Sequence, residues 1–171
     1  MHGFVKVRAA VPKVKVADCK FNAVQIIEKV KEAWKQKVAV LVLPELVITG
    51  YTCGDLFFQK ILLNGAMRGL EEILNATKEM SMLIAVGMPI AMESEIFNCS
   101  VMIFEGKIVG VVPKQFIPNY NEFYEKRWFA AGEDLKCKQI EILGQEVPVG
   151  CDLLIKLPEV GTIGVEMCED V

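Results

Sequence analysis

Residues 38–45 read VAVLVLPE, six consecutive apolar residues followed by a proline and a glutamate. An uninterrupted apolar run of this length is typical of a β-strand covered on both faces, as in parallel or mixed sheets with helices packed against them. Pro44 has no N–H to donate to a sheet, so the strand is predicted to span residues 38–43. Glu45 therefore stands just beyond the end of a buried strand.

The residues that precede this strand predict a strand and then a helix. Residues 4–11 predict a first strand, and Asp18 is predicted to cap a helix that runs to about Gln36. The apolar residues of this helix recur at intervals of three and four, which predicts one buried stripe. The predicted stripe consists of Phe21, Val24, Ile27, Val30 and Trp34.

The residues that follow continue the alternation. One or two helices are predicted within residues 55–80, a buried strand at residues 82–88, and a hairpin at residues 97–112 that turns at the sequence EGK. This order of elements predicts an α/β fold, a sheet with helices packed on it.

Two later segments have a different character. Residues 115–134 are aromatic and charged with weak periodicity, which predicts a long ordered loop with one helical turn, a type of segment that is often functional. The tail, TIGVEMCEDV at residues 162–171, is predicted to be a short apolar strand that runs directly into Cys168.

Composition limits the possible classes of protein. The chain has 171 residues, a net charge of −3 and 53% of its residues in the set AVILMFWYC, which predicts one globular domain with a large core and no internal boundary. Near-neutral charge without a basic block argues against nucleic-acid binding through phosphate contacts. No apolar run approaches the roughly 20 residues of a membrane helix, and the N-terminus lacks a signal-peptide pattern, so we expect a cytoplasmic protein.

Cysteine and histidine usage restricts the chemistry. The six cysteines are scattered and form no CxxC pair, which favours reduced thiols over disulfides or a zinc site. The single histidine is His2, at a terminus predicted to be frayed. Catalysis by Ser-His-Asp or Cys-His groups and histidine-based metal sites therefore lack their essential residue, and we expect no metal centre.

Three potentially reactive residues each follow a predicted apolar strand: Glu45, Lys114 and Cys168. Strand ends of a parallel or mixed sheet meet at the crevice where ligands bind, so these side chains are predicted to converge. Together they suffice for acyl transfer. A thiolate can attack a carbonyl carbon, a carboxylate can move the proton, and an ammonium can stabilise the oxyanion.

Each of these residues also has a structural explanation that needs no function. A cysteine at the end of an apolar strand is commonly an inert core residue, so Cys168 alone does not indicate a nucleophile. Glu45 after Leu-Pro and Lys114 after Val-Pro are also compatible with solvated turns at strand ends. Only the three together, in a chain without an available histidine, indicate a catalytic site.

The stretches around these residues resemble the nitrilase superfamily of carbon–nitrogen hydrolases. The resemblance rests on LPELVITGYTCGDLF, KQFIPNYNEFYEKRWFAAGED and GVEMCED, which follow one another in the family's order over nearly the whole chain. It implies that Glu45 is the general base, Lys114 the catalytic lysine and Cys168 the nucleophile. Glu169 and Asp170, after the cysteine, are more similar to the glutaminase domains of glutamine-dependent NAD+ synthetases than to other members.

The same stretches contain further candidate site residues. Tyr120 and Glu125 are expected to contribute to substrate binding, with Glu125 as a second carboxylate that positions Lys114 and water. Glu122 competes for that role, and Tyr51 and Asp55 also fall within the family stretches. All of these are also compatible with a packed, salt-bridged loop. Core packing is the expected role of four aromatic residues of the loop: Phe123, Tyr124, Trp128 and Phe129.

The resemblance implies a fold of the nitrilase α-β-β-α sandwich type, of which residues 1–171 would form a part that lacks the C-terminal portion. It implies hydrolysis of glutamine through a Cys thioester, with the ammonia used for NAD+ synthesis by a synthetase domain that is not in this chain. No cofactor is expected for the amidase step, and ATP with Mg²⁺ only for the synthetase. A homo-oligomer is expected, and the fragment alone is expected to have little or no activity.

Two other functions remain open from the sequence. A free-standing aliphatic amidase or N-carbamoyl hydrolase would use the same three residues on another amide. A non-catalytic interaction or scaffold piece would use none of them and would associate through exposed apolar surface.

Overall fold

The computed structural model describes residues 3–158 and 160–171, so His2 lies outside the described residues. Its centre is a five-stranded mixed sheet in which the strands follow one another in chain order. The first three strands are parallel, and the last two extend the sheet as antiparallel neighbours. The strands are β1 (Val7–Ala9), β2 (Val40–Val42), β3 (Leu83–Met92), β4 (Glu95–Phe104) and β5 (Lys107–Pro113). The predicted α/β class is confirmed.

Two helices connect the parallel strands, α1 (Cys19–Lys35) between β1 and β2 and α2 (Lys60–Ala76) between β2 and β3. They pack on each other and on one face of the sheet, where the larger part of the buried apolar residues lies. A short 3₁₀ helix, Gly54–Phe58, precedes α2, so the region predicted to hold one or two helices holds both types.

Strand β2 is shorter than the predicted strand at residues 38–43, and one of its faces is less buried than predicted. Leu41 and Leu43 are buried in the core below the helices, whereas Val40 joins a smaller cluster on the opposite face. Val42 is 48% exposed. The opposite face is covered only in part, so the prediction of cover on both faces is wrong at this residue.

Helix α1 begins and ends as predicted, but it buries a different face. Asp18 caps it by accepting a hydrogen bond from Phe21 N at 3.0 Å. Of the predicted stripe only Val30 is buried, while Val24 is 45% exposed. The buried face consists of Cys19, Asn22, Ala23, Ile26, Val30 and Ala33.

Close packing against α2 explains this difference. A Cβ added to Gly69 of α2 would lie 3.5 Å from Ala23 Cβ and 3.4 Å from Cys19 O, so the helices meet through small residues. The larger side chains of α1 cannot be accommodated at such a short separation and point away from the contact.

The remaining strands extend the main sheet or form small hairpins. The predicted β4–β5 hairpin is present, and its turn places Glu105 and Gly106 at φ +50° and +70°, as a type I′ turn requires. Beyond β5, the strands pair as β6 (Gln139–Ile142) with β7 (Gln145–Pro148), and as β8 (Ile155–Leu157) with β9 (Gly161–Ile163). The β8–β9 hairpin packs on the smaller apolar cluster opposite the helices.

Of two predictions about the segments after β5, the one about the last strand is wrong and the one about the long loop is confirmed. The last strand ends at Ile163 in a separate hairpin, so it does not run directly into Cys168 as predicted. The long loop after β5 is present and contains two 3₁₀ turns, Glu125–Arg127 and Gly132–Asp134. Within the described residues, no helix has the length and apolar character needed to cross a membrane.

Asn22 is a buried amide with all of its bonds made, and it ties three segments together. Its Nδ2 donates to Lys15 O at 2.8 Å and to Ile48 O at 2.9 Å, and its Oδ1 accepts from Lys15 N at 2.8 Å. Replacement by leucine would leave three buried or half-buried backbone groups without a partner.

We therefore expect Asn22→Leu to lower the free energy of unfolding by about 2–4 kcal/mol, since each orphaned buried group costs roughly 1–3 kcal/mol and relaxation recovers part of it. Urea denaturation followed by circular dichroism measures this value. The matched control is Asn64→Leu, because Asn64 is exposed on α2. Equal stability of the two variants would contradict the assigned role of Asn22.

Candidate active site

Lys114 is fully buried immediately after β5, between two carboxylates. Its Nζ lies 2.8 Å from Glu45 Oε1 and 2.9 Å from Glu125 Oε2, with Glu125 Oε1 at 3.1 Å. Burial acts to lower the pKa of this ammonium, but the hydrogen bonds that it donates to Glu45 and Glu125 outweigh burial and raise the pKa above its usual value. Lys114 is therefore a permanent positive charge at neutral pH.

Glu45 reaches this position from the loop after β2. The loop lies directly on β3 at Gly87, where an added Cβ would come within 2.5 Å of Leu46 N and Pro44 O. A side chain at this position of β3 would displace the loop, so the close approach depends on glycine. Glu45 is the least buried of the three charged residues, with 20% of its side chain exposed.

The two oxygens of Glu45 have different surroundings. Oε1 accepts hydrogen bonds from Lys114 Nζ and from Asn98 Nδ2. Oε2 makes no hydrogen bond within the described residues, and Glu45 lines a cavity of about 320 Å³. The carboxylate is thus held through one oxygen, and the other remains able to accept a proton.

Glu125 is almost fully buried at the start of the 3₁₀ turn Glu125–Arg127. Besides Lys114, its Oε1 accepts a hydrogen bond of 2.6 Å from the Tyr51 hydroxyl. Burial and the bond to Glu125 raise the pKa of Tyr51, so this phenol stays protonated and remains a donor. Glu122, the competing carboxylate, is exposed and does not contact Lys114.

An ion pair anchors the loop that carries Glu125. The Arg127 guanidinium donates to both oxygens of Asp55, at 2.7 and 2.8 Å, and Trp128 Nε1 donates to the same carboxylate at 2.9 Å. Asp55 lies in the 3₁₀ helix before α2, so the pair ties the loop to the segment that connects β2 with α2. The pKa of Asp55 is held far below its usual range by the hydrogen bonds from Arg127 and Trp128.

The aromatic residues of this loop divide into two groups. Phe129 is buried and packs edge-on against Phe57 at 4.8 Å between ring centres, and Trp128 lies 6.0 Å from the same ring. These two have the predicted packing role. Tyr124 is 61% exposed and does not have that role, because the 3₁₀ turn directs it away from the core.

Cys168 is exposed at the start of the 3₁₀ turn Cys168–Asp170. It lines the same cavity as Glu45, and its Sγ makes no hydrogen bond within the described residues. Its φ of +51° falls in the left-handed region, which costs a residue other than glycine roughly 1 kcal/mol or more. The structure therefore brings Lys114 into direct contact with Glu45 and Glu125, and it places Cys168 on the cavity that Glu45 also lines.

Side chains that follow Cys168 hold this turn against the loop after Lys114. Asp170 accepts hydrogen bonds from Gln115 N at 3.0 Å and Phe116 N at 2.8 Å. Glu169 accepts from the Tyr120 hydroxyl at 2.8 Å. Tyr120 therefore lies beside the cysteine turn and not on the cavity that Glu45 and Cys168 line.

Sequence reasoning missed Asn98. This asparagine is fully buried in β4 and bonds to Glu45, and the signal for it was available as a lone amide within the apolar run IFNCSVMIF.

In the part of the chain that the structure describes, no cluster of three or more His, Cys, Asp or Glu residues is arranged to hold a metal ion.

Comparison with known proteins gives consistent matches over most of the chain. The carbon–nitrogen hydrolase family model matches residues 6–171. A glutamine-dependent NAD(+) synthetase from Mycobacterium tuberculosis is 33% identical over 172 aligned residues, which cover 99% of this chain and 25% of that protein. The chain thus spans about a quarter of the length of the curated relatives it matches.

Solved structures show the same fold. A crystal structure of a glutamine-dependent NAD(+) synthetase from Cytophaga hutchinsonii has a TM-score of 0.88 and 29% identity, covering 98% of this chain and 28% of that one. An amidase from Nesterenkonia sp. AN1 has a TM-score of 0.64 at 15% identity, covering 85% of this chain and 56% of that one, which is a likeness of fold alone. The predicted nitrilase-type fold is confirmed.

Iodoacetamide is expected to label Cys168 before the other five thiols. Cys168 is the exposed cysteine, whereas burial raises the pKa of Cys19 to about 11 and also raises the pKa values of Cys53, Cys99 and Cys151. A thiol with a pKa near 11 is well under about 1% thiolate at pH 8.5 and reacts slowly.

Peptide mapping after brief labelling at pH 7–8.5 measures the order of reaction. Cys137, which is half-buried, provides the internal comparison. Labelling of Cys19 or Cys99 ahead of Cys168 would contradict the described burial.

Removal of the Lys114 charge is expected to destabilise the fold. Lys114→Met leaves the half-buried Glu45 and the buried Glu125 as neighbouring carboxylates without a counter-charge, which should cost about 3 kcal/mol of unfolding free energy. Lys126→Met is the control, because Lys126 is exposed and forms no ion pair within the described residues. Chemical denaturation of both variants gives the comparison, and equal stabilities would argue against a buried ion triad.

Proposed function

The chain belongs to the carbon–nitrogen hydrolase family, and we propose that it hydrolyses the side-chain amide of glutamine with Glu45, Lys114 and Cys168. The observation that carries the proposal is the arrangement of Glu45. One of its oxygens is bound by the buried Lys114, and the residue shares a cavity with the exposed thiol of Cys168. The alignment with a glutamine-dependent NAD(+) synthetase, which covers 99% of the chain at 33% identity, supports glutamine as the amide substrate.

In the first step Glu45 Oε2 accepts the thiol proton of Cys168, and the thiolate attacks the amide carbon of glutamine. The amide carbonyl becomes a tetrahedral oxyanion. Glu45 then returns its proton to the amide nitrogen, the carbon–nitrogen bond breaks, and ammonia leaves a glutamyl thioester on Cys168. No metal or organic cofactor takes part in the step as proposed.

In the second step Glu45 takes a proton from a water molecule, and the hydroxide attacks the thioester carbon. The carbon–sulfur bond breaks, the Cys168 sulfur regains a proton from Glu45, and glutamate is released. Glu125 supports both steps by keeping Lys114 in place, since it contacts the ammonium through both carboxylate oxygens.

The hydrogen bonds of Lys114 limit its role in stabilising the oxyanion. An ammonium has three N–H donors, and the structure gives Lys114 three acceptor contacts, one from Glu45 and two from Glu125. For Lys114 to donate to an oxyanion, one of these contacts must open, and the longest, at 3.1 Å to Glu125 Oε1, is the natural candidate. Lys114 otherwise acts through its charge, together with a backbone N–H.

The relatives named as glutamine-dependent NAD(+) synthetases support one use for the ammonia. We propose that it passes to a synthetase activity that forms NAD+, which would use ATP and Mg²⁺ outside this chain. A free-standing amidase acting on a small aliphatic amide is the alternative, and the two are distinguished by comparing glutamine with propionamide as substrates.

The test uses the intact natural protein with glutamine. Cys168→Ala is expected to abolish ammonia release and the thioester adduct seen by mass spectrometry, because no nucleophile remains. Lys114→Ala is expected to lower kcat by about 10²–10³, the typical cost of losing one group that stabilises an oxyanion. Cys137→Ala, a half-buried thiol away from the cavity, is the control and should keep its activity. Wild-type ammonia release from Cys168→Ala would overturn the proposal.

A further inference from the structure

Asn98 is a polar residue within the buried stretch of β4. It is fully buried in β4, where Phe97, Cys99 and Val101 point into the core below the helices. Asn98 alternates with these residues and shares the opposite face of the strand with Ser100 and Met102. Ser100 and Met102 line the cavity that Glu45 and Cys168 also line.

Asn98 contacts both Glu45 and Lys114. Its side-chain Nδ2 donates a hydrogen bond to Glu45 Oε1, and its backbone carbonyl accepts one of 2.8 Å from Lys114 N. Asn98 thus bonds to Lys114 through its backbone and to Glu45 through its side chain, beside the direct contact between Lys114 and Glu45. The orientation of the amide is unambiguous, because the opposite one would bring two oxygens into contact.

The amide of Asn98 is costly for the fold. Its Oδ1 is buried without a hydrogen-bond partner within the described residues. A buried polar atom in this state costs free energy, whereas an apolar side chain of similar size would carry no such penalty. The core packing of β4 therefore does not account for an asparagine at this position, and the bond to Glu45 does.

We propose that Asn98 is a positioning residue for Glu45. It occupies Oε1 together with Lys114, fixes the plane of the carboxylate, and leaves Oε2 as the oxygen that exchanges protons with Cys168. Loss of the amide frees the carboxylate to rotate about its last bond, so the base spends less time in the productive geometry. The proposal rests on the function proposed above, in which Glu45 is the base.

The test compares the two fully buried asparagines, Asn98 and Asn22, in the intact natural protein. Asn98→Leu is expected to lower kcat for glutamine by about 10–100-fold, the usual cost of removing a group that orients a catalytic residue, with KM changed by less than about threefold. Its Tm is expected to stay within about 2 °C of the wild type, because the lost hydrogen bond is offset by the removal of an unpaired oxygen. Asn22→Leu is expected to show the opposite pattern, a Tm lower by several degrees with kcat per folded molecule unchanged.

The outcomes separate the inference from the proposed function. Wild-type kcat in Asn98→Leu, or a loss of activity that only follows the folded fraction, would overturn the role of Asn98. If Asn98→Leu fails to fold, Asn98→Ala, which cannot clash, must show the same fall in kcat at little change in KM, and otherwise the inference is wrong. An active Cys168→Ala variant would instead overturn the function itself, whatever Asn98 does.

Discussion

The arrangement of this site depends on one buried positive charge. Lys114 is fully buried, and a lone ammonium at this depth would be expensive to keep out of water. Glu45 and Glu125 lie within 2.8 and 2.9 Å of it and offset that cost. The dependence is mutual, because the two carboxylates would repel one another without Lys114 between them. The loops after β2 and β5 are therefore placed so that both carboxylates contact the ammonium of Lys114.

Each carboxylate reaches Lys114 on a loop that is fixed by contacts outside the site. The loop of Glu45 lies against the backbone of β3 at Gly87, at a separation that any side chain would prevent. The loop of Glu125 is tied to the 3₁₀ helix before α2 by the pair of Arg127 and Asp55. The sheet and helices thus act on the chemistry indirectly, through the precision with which they hold two irregular segments.

Two features of the site carry a local cost to the stability of the fold. Asn98 keeps a buried oxygen without a partner among the described residues, and Cys168 has a left-handed backbone conformation. Asp170 and Glu169 hold the cysteine turn against the loop after Lys114. Such local costs are typical of functional sites, where the surrounding structure enforces a geometry that the local sequence alone would not adopt.

The sequence by itself determined those features that depend on neighbouring residues. The strand that precedes Glu45, the cap of α1 at Asp18 and the β4–β5 hairpin follow from apolar runs, a capping side chain and a turn sequence, all of which act locally. The catalytic candidates Glu45 and Lys114 could be found in the same way, because each follows a strand that the local pattern reveals.

Only the tertiary structure decided which groups meet. The face that α1 buries depends on how closely α2 approaches at Gly69, and the choice of Glu125 over Glu122 depends on how the loop folds over Lys114. The role of Asn98 depends on where the loop after β2 lies on the sheet. These contacts join residues far apart in the chain, so the local pattern of the sequence contains no record of them. These contacts stabilise the fold only once packing has removed the charged and polar groups from water together.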